Sequence, residues 1–196
     1  MEKIEQLLRD LRSPETSDSA AERLYDLANG SVEILHAAIC DVGGPPFVRA
    51  TCAEVLGSAV PEGVVRLLDL LKDSNAELAD IASFGLRWNH APDIAEPALL
   101  TLLLHSSDGL RLRAAKTLRR IGCDLSTRDL VLARAILDRT LEVGVEILML
   151  LDDLLEVAPV STSDAFWMEV AAMARQAPAG ERQRLADSIL ARMSSG

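Results

Sequence analysis

A chain of 196 residues with a formal net charge of −10 at pH 7 is long enough for one domain with a sizeable core. Its hydrophobic share is 49% but its aromatic share only 3%, so the core is aliphatic, and leucine and alanine favour helices over strands. No window approaches ~18 uncharged apolar residues, which argues against a membrane span, and no segment pairs low hydrophobicity with the charge of a disordered tail.

Apolar residues recur at helical spacing along nearly the whole chain. The pattern predicts helices over about 2–12, 17–29, 31–40, 46–59, 62–72, 76–88, 93–105, 109–121, 127–138, 141–157, 163–176 and 180–194. The opening "MEKIEQLLRDLRSPE" alternates charge with leucine and lacks the apolar core of a signal peptide. Breaks fall at "NGS" (29–31), "GGPP" (43–46), Pro61, "KDSN" (72–75), "NHAPD" (89–93), "SSDG" (106–109) and "APVSTS" (158–163). Asp108, Ser163 and Thr127 stand where a helix N-cap is wanted. Cys40, Cys52 and Cys123 are odd in number and lack CxxC spacing, as three buried, reduced thiols of a cytoplasmic protein would be.

Internal repetition organises these helices. "VRATCAEVL" (48–56), "LADIASFGL" (78–86) and "LRLRAAKTL" (110–118) align, so that Val48, Leu78 and Leu110 coincide, as do Cys52, Ala82 and Ala114, and then Leu56, Leu86 and Leu118. In the helices before them, Leu67, Leu68 and Leu71 answer Leu99, Leu100 and Leu103. Small residues in mid-helix let axes approach, and a helical hairpin of about 30 residues buries its apolar stripe only by stacking on a neighbour. "KDSNAELADIASFGL" and "SSDGLRLRAAKTLRRIG" resemble the second helix of HEAT-type repeats, in which an Asp and a Val-Arg pair precede alanines, Ala-Leu and Ile-Gly. Ala79 stands where that pattern has Arg, Gly43 where it has Asp, and either Arg111 or Arg113 fills the Arg position of the third unit.

The resemblance implies an all-α solenoid of about six stacked hairpins in a single domain, 1–196. Its best repeats lie in 31–122, and degenerate or capping hairpins lie in 1–30 and 123–196. It also implies a concave surface lined by the second helices.

Charge is unevenly spread: residues 111–139 carry net +5, against −10 for 1–110 and −5 for 140–196. On a helical wheel Leu110, Ala114, Ala115, Leu118 and Ile121 share one face, while Arg113, Lys116 and Arg120 point the opposite way with Arg119 at the edge. The trio is either a docking face for an acidic or phosphate-bearing partner, or a solvated face paired with Asp152, Asp153 or Glu156. Phe84 and Trp88, four apart, are either a hydrophobic anchor for a partner or a packed pair. Glu54 and Asp80 are the acidic candidates for contact with a basic partner.

Chemistry is sparse. His36, Cys40 and Cys52 could converge, but no fourth ligand is placed nearby, so neither metal nor cofactor is expected. GxSxG, P-loop, GxGxxG and HExxH are all absent from the sequence, and His105 beside Ser106, Ser107 and Asp108 is a triad only in composition. The expectation is a non-enzymatic, cytoplasmic protein-binding module, monomeric or weakly dimeric, acting as an adaptor, an assembly factor or an immunity-type inhibitor of a basic toxin or enzyme. The alternative is a nucleic-acid binder, resembling the HEAT-like DNA glycosylases, that uses the basic 111–120 helix.

Overall fold

The computed structural model describes residues 2–87, 91–122, 130–157 and 164–194. These hold twelve α-helices and no strand: α1 (Glu2–Asp10), α2 (Ser17–Tyr25), α3 (Val32–Cys40), α4 (Pro46–Ser58), α5 (Glu62–Leu71), α6 (Ala76–Leu86), α7 (Pro92–Leu103), α8 (Asp108–Ile121), α9 (Leu130–Ala135), α10 (Leu141–Val157), α11 (Ala165–Ala174) and α12 (Glu181–Met193). Each matches a predicted helix. Several are shorter than predicted, and two of them, α2 and α9, end early for a visible local reason. After Tyr25 the Leu27 amide bonds the Leu24 carbonyl, and the chain tightens into the 3-10 turn Ala28–Gly30. After Ala135, three successive amides bond carbonyls three residues back, which releases Asp138 for the role described below.

Residue contacts gather the chain into two compact units, 1–95 and 96–196, with the boundary inside α7. In the first unit α3 packs on α4 and α5 on α6, while the second helix of each pair, α4 and α6, also lie side by side, with α2 against α4. Leu35, Ile39, Cys52, Leu56, Leu67, Leu71, Ala82 and Leu86 are fully buried between them. In the second unit α10 lies between α8 and α12, and α9 packs on α11. Its core comprises Leu118, Ile147, Leu151, Val170 and Ile189, with Phe166 set edge-on to Trp167 at 5.1 Å between ring centroids.

The α4–α6 crossing explains two glycines. A Cβ on Gly57 would stand 2.3 Å from the Gly85 carbonyl oxygen, and one on Gly85 would stand 2.5 Å from that of Ala53. The two backbones touch there, so only hydrogen fits.

Buried arginines tie the hairpins together. Arg49, 1% exposed, donates from Nε to the Ile39 carbonyl at the end of α3 (2.9 Å) and from Nη1 to Glu77 on α6 (2.5 Å). Arg111, at the aligned position of α8, is 5% exposed. It donates to the carbonyls of His105 (3.0 Å) and Ser106 (3.2 Å) and makes a two-pronged pair with Asp138 (2.7 and 3.1 Å). Arg111, not Arg113, is therefore the arginine of the repeat pattern. Arg182 does comparable work from α12, donating to the carbonyls of Ile136 and Leu141, both at 3.3 Å. Its guanidinium lies where a Cβ on Gly144 would be, 2.7 Å from Nε.

The loops before the second helices share a device. Asp41 accepts from the Gly43 amide, Asp73 from Asn75, His105 through Nδ1 from Ser107, and Asp138 from Thr140, at 3.2, 2.7, 3.0 and 2.7 Å. Each is an acceptor two residues upstream of the amide it holds, an Asx-type turn that aims the chain into the next helix.

Asp108 is not the cap expected of it. It is the first residue of α8, Ser107 is the N-cap without a side-chain bond, and the Asp108 carboxylate is taken by Arg111 (2.9 Å) and Arg139 (2.6 Å). At α11 the cap is Asp164, which accepts from the Phe166 amide at 2.9 Å; the expected caps Ser163 and Thr127 lie outside the described residues.

Candidate functional site

Register fixes which side chains leave the packed surface. On α4 the outward stripe is Phe47, Thr51, Glu54 and Ser58, and on α6 it is Glu77, Ile81 and Phe84. The same register on α8 gives Gly109, Arg113, Lys116 and Arg120, and on α10 it gives Glu142, Glu146, Met149 and Asp153. Five of the residues singled out from sequence thus occupy repeat-equivalent positions on their own helices: Glu54 on α4, Phe84 on α6 and Lys116 on α8, with Arg113 and Arg120 one turn to either side of Lys116. Asp80 is exposed one position to the side of the α6 stripe, and Trp88 lies outside the described residues.

In the first unit the stripe is acidic and aromatic. Phe47 is 50% exposed, Phe84 half-buried, and Tyr25 of α2, 40% exposed, hydrogen-bonds the Glu54 carboxylate. Partial burial and the neighbouring Glu54 both push the Tyr25 hydroxyl pKa up, so the phenol stays protonated and donating. Around this stripe residues 1–95 hold sixteen acidic side chains against eight basic ones.

In the second unit the basic helix is largely answered from within. Arg111 is consumed by Asp138, Asp108 and the loop carbonyls. Arg119 pairs with Glu146 (3.2 Å) and Asp153 (3.6 Å) of α10 and rests on the Met149 sulfur at 3.3 Å. Of the acids expected to answer this helix only Asp153 does so. Asp152 and Glu156 project from the other flank of α10, toward α12, and hold Arg192 at 2.7 and 3.2 Å. Glu146, missed in the sequence reading, takes their place because it stands one helical turn from Met149 and two from Asp153 on the α8 side. Arg113 and Arg120 also have partners. Lys116 and Arg120 are exposed and Arg113 is half-buried.

The ionisation of the Arg111 cluster follows from this geometry. Hydrogen bonds from Arg139 and Arg111 hold Asp108 below the usual carboxylate range. At Asp138 burial acts upward, but bonds from Arg111 and Thr140 outweigh it and leave the pKa lowered. Asp138, in turn, raises the pKa of Arg111. The whole is a fixed structural charge pair.

Cys52 is buried and its thiol is pushed up to about 12 by desolvation. Cys40 is half-buried rather than buried, with its sulfur 3.9 Å from His36 Nε2, and Cys123 lies outside the described residues. Among the described residues no three His, Cys, Asp or Glu side chains form a group able to hold a metal ion, and no helix is long and apolar enough to cross a membrane.

No protein-family model matches the chain, and no curated protein matches it in sequence. Solved structures do match over its length. An engineered protein, structural-genomics target OR329, is 19% identical with a TM-score of 0.55, covering 100% of this chain and 98% of that one. A designed armadillo repeat protein in complex with the peptide (KR)4 is 16% identical with a TM-score of 0.51, covering 96% and 98%. A further designed armadillo repeat protein is 15% identical with a TM-score of 0.50, covering 96% and 98%. With the helix pairs, the stacked second helices and the repeat-equivalent arginines, these matches identify the fold as an all-helical repeat solenoid of the HEAT/armadillo-like kind.

Proposed function

We propose that this protein is a non-enzymatic binding module whose partner is a basic protein segment, received on the outward stripe of α4 and α6. The observation that carries the reading is the chemistry of that stripe: Glu54, Glu77 and neighbouring Asp80 stand among Tyr25, Phe47 and Phe84, in a unit with twice as many acids as bases. Carboxylates steer and pair with Lys or Arg, and exposed aromatic faces take their cationic heads and apolar stems. A repeat surface is suited to an extended segment because equivalent positions recur along it. A designed armadillo protein of the same fold takes a peptide of Lys and Arg, which supports the fit between fold and ligand class. An adaptor, an assembly factor and an inhibitor of a basic toxin or enzyme would all use such a surface.

The competing nucleic-acid reading loses ground because Arg111 and Arg119 are occupied by Asp138, Glu146 and Asp153. Phosphate binding needs several uncommitted cations in one place. The test is affinity capture from host lysate, with and without nuclease, using wild type, Glu54→Lys/Asp80→Lys and Arg113→Glu/Lys116→Glu/Arg120→Glu. A nuclease-resistant basic protein, lost with the first variant and kept with the second, is the expected result. Recovery of nucleic acid alone, lost with the second variant, would replace this reading.

A further inference from the structure

The second unit carries a cavity that the peptide stripe does not use. Between α11 and α12 a space of about 360 Å³ is lined by Trp167, Met168, Ala171, Leu190 and Met193, with Arg175 and Ser194 as its polar residues. That volume lies within the range of small-molecule sites, which are typically apolar with one or two polar groups that fix orientation. Three features give the occupant its chemistry.

The first is the wall, built from flexible methionines and leucine over the buried Trp167. Methionine adapts to irregular or extended apolar guests, and Met168 is held 60% exposed rather than folded into the core. The second is the charge at the mouth. Among the described residues no carboxylate lines this cavity, whereas Arg175 does. Arg175, the C-cap residue of α11, makes no ion pair among the described residues, although Arg119, Arg134, Arg139 and Arg192 of the same unit all do. The third is an unfinished hydrogen bond. Trp167 is fully buried and its indole Nε1–H has no acceptor among the described residues. A buried donor without a partner is costly and uncommon in native structures, and here it belongs to a residue that borders the cavity.

The geometry points to a binding site for a small amphiphilic carboxylate, with its chain among Met168, Ala171, Leu190 and Met193 and its head on Arg175. This assignment is independent of the basic partner proposed for α4 and α6. It involves other helices and the opposite ligand charge. Arginine matches a carboxylate through parallel N–H donors, so the headgroup preference is for the anion over an alcohol or an ammonium of equal chain length.

The experiment uses the full chain and three probes of one chain length below their micellar concentrations: decanoate, decanol and decyltrimethylammonium. Calorimetry measures affinity and nitrogen-resolved NMR follows the Trp167 indole N–H, assigned with Trp88→Phe. Decanoate is expected to saturate at one site, at least tenfold tighter than either other probe, and to move the Trp167 indole resonance. Arg175→Gln should erase the tenfold preference while leaving the residual apolar binding. Ala171→Leu, which fills the cavity, should abolish binding of all three, with the helical spectrum unchanged in both variants. Equal affinities for the three headgroups, an unaltered preference in Arg175→Gln, or decanoate shifts elsewhere on the protein would overturn the assignment. So would a peptide ending in a leucine carboxylate that binds more tightly than decanoate, or a dimer, seen by sedimentation, that closes over Met168 and excludes the probe.

Discussion

Replacing Arg111 by Met removes the guanidinium while keeping an apolar stem of similar length. Asp138, the loop carbonyls, Asp108 and the Thr140 hydroxyl (3.1 Å) all lose a donor. Asp138, whose side chain is only 12% exposed, keeps its charge without the two-pronged partner at 2.7 and 3.1 Å. The carbonyls of His105 and Ser106 lose a donor, but both residues are exposed and water replaces it. Asp108 retains Arg139. The dominant cost is therefore the stranded Asp138 charge, and breaking one partner of a buried pair costs about 3–5 kcal/mol. Taking the lower figure, since Asp138 is not fully enclosed, the melting temperature should fall by roughly 6–12 °C for a chain of this size.

Arg113→Met, at a half-buried outward position, should cost about 1 kcal/mol or less. Adding Asp138→Asn to Arg111→Met removes the stranded charge yet keeps the acceptor for Thr140, so it should recover at least about 1 kcal/mol. The pH dependence has a definite sign. In wild type the lowered Asp138 pKa contributes stability above the usual carboxylate range, and this is lost as pH falls through it. In Arg111→Met the Thr140 bonds remain but the larger counterweight to burial is gone, so the variant's Asp138 pKa lies above the wild type's and the gap in stability narrows as pH falls. Urea denaturation of the four proteins at pH 7 and pH 4.5 measures all of this. A cost below about 1 kcal/mol for Arg111→Met, or a larger one for Arg113→Met, would refute the assignment of Arg111 as the tie between hairpins.

Four further outcomes follow from the packing and the loop hydrogen bonds. Gly57→Ala should destabilise by about 1–3 kcal/mol despite the helix-propensity gain, because its Cβ would meet the Gly85 carbonyl. Gly109→Ala, whose nearest neighbour would be the Ser107 hydroxyl at 3.9 Å, should be neutral or stabilising by up to about 1 kcal/mol, and thermal melts of the pair separate the two cases. Mass-resolved alkylation should label Cys40 well before Cys52, whose thiol is pushed up to about 12; equal rates would contradict the burial of Cys52. His105→Asp restores the side chain found at the other three loop positions, so it should stabilise by about 0.5–1 kcal/mol, read as a higher urea midpoint.

Helix positions were legible because the aliphatic periodicity is nearly unbroken, and the segments "VRATCAEVL", "LADIASFGL" and "LRLRAAKTL", offset by 30 and 32 residues, present the same positions outward on α4, α6 and α8. The same alignment already paired Arg49 with Arg111, but composition alone could not rank Arg111 above Arg113, since either could have faced the loop carbonyls. The recurring loop acceptor was present as Asp41, Asp73, His105 and Asp138 at near-constant spacing. It stayed hidden because the third position has exchanged its carboxylate for an imidazole. Gly144 and Arg182 were illegible for a different reason. Their relation is a packing trade between hairpins, in which an absent side chain on α10 makes room for a guanidinium from α12, and no local pattern records it. The ion pairs of α10 depended on which flank each acid takes, a matter of helix phase that separates Asp152 from Asp153 although they are neighbours in sequence.

The most direct test of the binding account presents the immobilised protein with a random-sequence peptide library and sequences what is retained. The account predicts enrichment of extended peptides rich in Lys and Arg with interspersed large apolar residues. It predicts further that their binding weakens with salt, is lost in Glu54→Lys/Asp80→Lys and survives in Lys116→Glu/Arg120→Glu. Enrichment of acidic peptides, or loss of binding only when Lys116 and Arg120 are reversed, would contradict it and return the functional surface to the basic helix α8.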